Sequence, residues 1–152
     1  MKLSAFTDVC LRTIMVLATP GTGQLTSREI ADSVGVPYNH VAKAVLELRT
    51  LGILQVARGR NGGATLSSQA LSFSLGGLLR KLDKRTDIVD CSDHDAQTNC
   101  PLSGDCRLRA VFRQAREVFY ASLDPVTIQD ICPTSSAMPI KALPFPTVRN
   151  LS

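Results

Sequence analysis

The most constraining feature of this chain is the order of signals between Thr26 and Ser67. Thr26 and Glu29 stand three apart, as in a capping box. Ile30, Ala31 and Val34 follow, and Gly35 closes the predicted short helix. Pro37 suits the first turn of a next helix, where its missing N–H costs nothing. Val41, Val45 and Leu48 give that helix an apolar stripe up to Leu51-Gly52. Two short helices joined by a tight glycine turn form a helix-turn-helix, the second helix offering Tyr38, Asn39, His40 and Lys43. Directly after it, Ile53–Val56 and Ala64–Ser67 read as strands around Arg58-Gly59-Arg60-Asn61-Gly62-Gly63. Asn61-Gly62 is expected to turn the hairpin because both positions tolerate positive φ. A glycine-rich hairpin tipped with Arg58 and Arg60 at this place is the wing of a winged helix, suited to a minor groove.

The flanking segments extend that frame. Leu3, Phe6, Cys10, Ile14 and Leu17 recur at helical spacing over residues 3–18, with Asp8 and Arg12 on the opposite face. Ser74 is placed to cap a helix carrying Leu75, Leu78, Leu79 and Leu82, which ends near Lys84-Arg85. Residues 105–123 form the longest predicted helix, with Leu108, Val111, Phe112, Ala115, Val118 and Phe119 along one side, a surface suited to a second copy. Asp124-Pro125 is expected to stop it and cap a short helix through Ile131, before a proline-rich tail. The predicted fold is mainly α with a small β-hairpin wing, a winged helix-turn-helix plus a long C-terminal dimerisation helix. The divisions are residues 1–85 (DNA-binding domain), 86–106 (cysteine loop), 107–131 (dimerisation and short capping helices) and 132–152 (tail).

Charge separates the two halves. Of the 152 residues, the first 85 hold 11 Lys and Arg against 5 Asp and Glu, while the remainder hold 6 against 8. A basic first half points to a polyanion such as double-stranded DNA. At 44% hydrophobic residues the chain can bury a core, which excludes a wholly disordered chain. No apolar run is long enough to span a bilayer, and Asp8 interrupts any signal-type start, so a cytoplasmic protein without a membrane partner is expected. No nucleotide-binding glycine loop or nucleophile-base pair is present, which argues against an enzyme.

From Thr86 to Cys106 there is no Lys or Arg but five Asp, with cysteines at 91, 100 and 106. A C-x8-C-x5-C pattern is too wide for a redox pair and compatible with a loop folded around a metal. Three thiolates supply three ligands of four, for Zn²⁺ or for an iron-sulfur cluster, and spacing alone favours neither. In a zinc staple the fourth ligand would be His94 or His40. Cys10 reads as a core residue and Cys132 as an uninvolved thiol.

These features together resemble the bacterial winged-helix repressors that bind an iron-sulfur cluster through a three-cysteine loop, the family that includes NsrR and IscR. The likeness covers residues 1–131. It is carried by Lys2 through Asp8, Ser27 through Ala31, Val36 through His40 with Lys43, Gly59 through Gly63, and Cys100-Pro101-Leu102 leading to Cys106-Arg107-Leu108. It is strongest to the actinobacterial nitric-oxide-sensing branch. The resemblance implies a 4Fe-4S cluster (2Fe-2S or zinc being the alternatives) on Cys91, Cys100 and Cys106, with Asp8 of the other subunit as fourth ligand. It adds Ser27 and Arg28 to the DNA-facing set. It also implies a homodimeric repressor on a pseudo-palindromic operator, released when nitric oxide attacks the cluster. Arg109 stands where IscR-like members carry a histidine ligand, which separates this chain from that branch; redox or iron sensing is the alternative signal.

Overall fold

α1 (Ala5–Leu17) starts at Ser4, whose hydroxyl accepts from the Thr7 N–H at 3.0 Å and satisfies one of the free first-turn donors. The computed structural model describes residues 3–59, 62–83 and 106–133. Within α1 the buried stripe is Val9, Cys10, Thr13, Ile14 and Leu17; Leu3 precedes the helix and stays exposed, and Phe6 is half-buried.

α2 (Ser27–Val34) opens with the expected capping box. The Glu29 N–H donates to the Thr26 hydroxyl, and the Glu29 carboxylate accepts from the Thr26 N–H at 2.7 Å. It ends on Gly35 at φ +68°, where a side chain would be strained. Pro37 then caps α3 (Tyr38–Thr50), which buries Val41, Ala44, Val45 and Leu48. α1, α2 and α3 pack against one another, and the stripe of each enters one core.

The hairpin is present with its strands moved by one residue, to β1 (Leu54–Ala57) and β2 (Gly63–Leu66), paired antiparallel with Leu54 opposite Leu66. Ile53 does not open the strand because its N–H closes the end of α3 on the Leu48 carbonyl at 2.9 Å. Leu25 adds a third, one-residue strand, exchanging two hydrogen bonds with Ala64. Among the described residues of the tip, positive φ occurs at Gly59 (+107°) and not at Gly62. Gly62 donates to the Gly59 carbonyl at 2.9 Å, and a Cβ there would sit only 2.9 Å from that same oxygen and closer still to the Ala57 carbonyl. Glycine is needed at 62 for close approach rather than for its φ.

After a one-turn 3₁₀ helix (Ala70–Ser72), Ser74 caps α4 (Leu75–Leu82), accepting from the Gly77 N–H. α4 has two apolar faces. Leu78 and Leu82 enter the main core, whereas Leu75 and Leu79 form a second cluster with Tyr120 and Val126. α5 (Arg107–Ser122) runs along α4, and its sixteen residues bury one side chain, Tyr120. The short α6 (Ile128–Ile131) is capped by Thr127 and Asp130, not by Asp124 as expected, because Asp124 is engaged by Arg80. Its Ile128 returns to the main core, and its N–H reaches the Phe73 carbonyl. Among the described residues no helix is long and apolar enough to cross a membrane.

Candidate nucleic-acid interface and cysteine site

The capping box of α2 leaves Ser27 and Arg28 in its first turn, Ser27 half-buried and Arg28 exposed. Two hydrogen bonds from Thr26, backbone first and hydroxyl second, hold the Glu29 carboxyl below its ordinary range, so it stays ionised as a cap. Pro37 supplies no capping side chain to α3, so the electropositive start of that helix faces outward with Tyr38, Asn39 and His40, all exposed. The two helix starts are tied together. The Arg28 guanidinium lies 5.2 Å from the centre of the Tyr38 ring, a cation-π contact across the turn. Arg58 is exposed immediately after β1, on the rising side of the wing. Arg60 and Asn61 lie outside the described residues. Ser27, Arg28, Tyr38, Asn39, His40 and Arg58 therefore supply cationic, aromatic and amide groups from the α2 and α3 starts and the wing. Such groups bond phosphate oxygens and base edges.

Lys43 is exposed one turn further along α3 and lines a groove of about 470 Å³ with Ser4, Phe6, Leu46, Glu47, Leu82 and Asp83. Its helix position was readable from sequence, but the groove was not, because its walls come from α1, α3 and the end of α4.

Asp8 lies in the first turn of α1, half exposed, with a carboxylate oxygen 2.8 Å from Arg12 Nε. This is an exposed pair one helical turn apart, the kind that contributes little and exchanges readily. Cys106 is half-buried at the N-cap of α5 and makes no capping hydrogen bond there. Cys91, Cys100 and His94 lie outside the described residues, as does nearly all of the predicted loop and tail. Among the described residues no group of three His, Cys, Asp or Glu side chains gathers to hold a metal. The expected donor set, three thiolates and one carboxylate, would fit an iron centre chemically. Cys10 is fully buried in the core, as read from sequence. Cys132 is half-buried; burial pushes its thiol up, and its Sγ reaches the Ile128 carbonyl at 3.0 Å.

One polar assembly was not anticipated. Arg80 on α4 bonds both Glu117 of α5 and Asp124 just past the end of that helix, and Tyr120 donates to Asp83. The signal was present as Arg80 and Asp83 three apart against Glu117, Tyr120 and Asp124 at helical spacing. Partners 37 residues or more apart cannot be matched by local periodicity.

Residues 3–134 match the Rrf2 family, described as an iron-dependent transcriptional regulator. The chain is 46% identical over 133 residues to the HTH-type transcriptional repressor NsrR of Streptomyces coelicolor, covering 86% of this chain and 88% of that protein. Among solved structures it resembles IscR of T. potens (TM-score 0.59, 19% identity, 84% of this chain and 83% of that one). It also resembles CymR, the global cysteine regulator of B. subtilis (TM-score 0.58, 21% identity, 86% and 95%). These last two bear on the fold alone. The relatives are transcriptional regulators rather than enzymes, in keeping with a winged helix whose exposed side chains suit DNA. The chain belongs to the Rrf2 family of DNA-binding transcriptional regulators.

Proposed function

We propose that this regulator is a homodimeric repressor that carries a 4Fe-4S cluster and releases operator DNA in response to nitric oxide. The observation that carries the dimer is the α5 face. Leu108, Val111 and Val118 are 55%, 61% and 62% exposed, and Phe112 and Phe119 also face solvent. The stripe is symmetric about Ala115: Phe112 and Val118 lie three residues to either side, Val111 and Phe119 four. Two copies crossing antiparallel at Ala115 would set Phe112 against Val118 and Val111 against Phe119, leaving the smallest residue at the crossing. A two-fold dimer presents its recognition helices to a pseudo-palindrome, with half-sites about 34 Å apart or a multiple of it.

In this reading Cys91, Cys100 and Cys106 of one subunit and Asp8 of the other hold the cluster. When bound, the cluster supplies iron that reacts with nitric oxide. Cys106 opens the α5 arm and Asp8 belongs to the winged helix, so the ligand set draws on both parts of the molecule. Asp8 gives up Arg12 to take this role, an exchange that costs little for an exposed pair. Tyr38, Asn39 and His40 read base edges, and Ser27, Arg28, Lys43, Arg58 and Arg60 contact phosphates or the minor groove. The nitric-oxide assignment is supported by the resemblance to the nitric-oxide-sensing branch and by the NsrR relative.

Iron, acid-labile sulfide and zinc determined on anaerobically purified protein test this reading, alongside Asp8→Ala. Iron and sulfide at about four each per chain in the wild type, with weakened retention in a folded Asp8→Ala, are expected. Zinc at about one per chain without sulfide would make the cysteine segment a structural staple. A 2Fe-2S cluster would shift the signal towards redox or iron status.

A further inference from the structure

α4 joins the winged helix to the α5 arm, and its third face is polar. Gly76, Arg80 and Asp83 meet Glu117, Tyr120 and Asp124. At Gly76 the backbones touch: its N–H donates to the Leu123 carbonyl at 3.1 Å, and any Cβ would collide with the Tyr120 carbonyl and the Asp124 carboxylate. Arg80 Nε and Nη2 bond Glu117 Oε1 at 2.9 and 2.6 Å. Nη1 and Nη2 bond the two Asp124 oxygens at 2.6 and 3.0 Å. The same guanidinium lies 5.7 Å from the centre of the Tyr120 ring.

One planar fork thus spans two carboxylates seven residues apart, Glu117 on α5 and Asp124 just past its end. The Leu75, Leu79 and Val126 cluster beside it is non-directional and would tolerate a small rotation. The fork is directional, and swinging α5 on α4 would break one carboxylate or the other. Leverage makes this matter. With two copies crossing at Ala115, a swing at this seam turns each winged helix by the same angle relative to the two-fold axis, and so changes the separation of the two recognition helices.

We infer that Arg80 is a positioning residue which, through Glu117 and Asp124, fixes the angle between the winged helix and the α5 arm and so sets the half-site spacing the regulator accepts. This assignment rests on the dimeric reading proposed above. Arg80 hydrogen-bonds Glu117 and Asp124 and none of the side chains assigned to DNA, so substituting Arg80 or Glu117 is expected to leave the contacts within one half-site unchanged.

The test uses duplexes selected by the wild-type chain from a randomised library: the full operator, one half-site alone, and operators with the half-sites moved one base pair closer or further apart. Wild type, Arg80→Met, Arg80→Lys and Glu117→Gln are compared, with oligomeric state measured by sedimentation. The variants are expected to stay folded and dimeric and to bind the single half-site as the wild type does. Arg80→Met and Glu117→Gln lose about tenfold on the full operator and discriminate less among spacings. Arg80→Lys, a point charge without the fork, falls between. Unchanged affinity and spacing preference in dimeric variants would overturn the assignment alone, as would an equal loss on the single half-site, the mark of general destabilisation. A monomeric wild-type chain would remove the dimeric reading and this assignment with it.

Discussion

α4 and α5 are both amphipathic, yet five of the eight residues of α4 are buried against one of sixteen in α5. The leucines of α4 find partners within their own chain. The stripe of α5 faces solvent, and the helix is buried at Tyr120, off that stripe, where it meets α4. The contrast shows what periodicity encodes. It states that a face is to be covered, and it is silent on whether the cover is the same chain or another.

The largest expected effect separates these roles. Leu78→Ala opens a cavity in the main core and should cost about 2–5 kcal/mol in denaturant unfolding. Phe112→Asp should leave the winged helix folded but abolish dimers in sedimentation, weakening full-operator binding on the order of 100-fold through lost avidity. Equal destabilisation by the two substitutions would erase the distinction between core and arm. On the DNA-facing side, Arg58→Ala should lower the slope of log affinity against log salt by about one and affect all sequences alike.

The smallest effect lies in the joint between the regions. Arg80 holds the Glu117 and Asp124 carboxyls below their ordinary range. Their contribution is complete above the unfolded values and fades as the pH falls through the lower folded ones, giving a shallow acid limb. Burial, then Asp83, pushes the Tyr120 hydroxyl up to about 12, so its contribution fades as pH rises from the ordinary value of 10.0 through that point. Thermal unfolding against pH should show both limbs, with Tyr120→Phe removing the alkaline one.

Legibility followed the range of the interaction. The Thr26–Glu29 box, the Gly35 stop and the stripes of α3 and α4 were readable because their partners lie within one or two turns. The wing was readable as a hairpin, but both strands lie one residue nearer the tip than expected, because the Leu48 carbonyl claims the Ile53 N–H. Asp124 was misread as a cap because its partner, Arg80, is 44 residues away. Asp8 was correctly turned from the core, but its proposed role depends on a second copy, and no periodicity within one chain reports that.

The most direct test of the central claim is a nitric-oxide titration of the anaerobically purified protein, following visible absorbance and operator binding in the same samples. The account predicts that the broad absorbance of a thiolate-ligated cluster and the affinity for DNA fall together. A colourless protein that binds the operator equally well at every nitric-oxide concentration would contradict it.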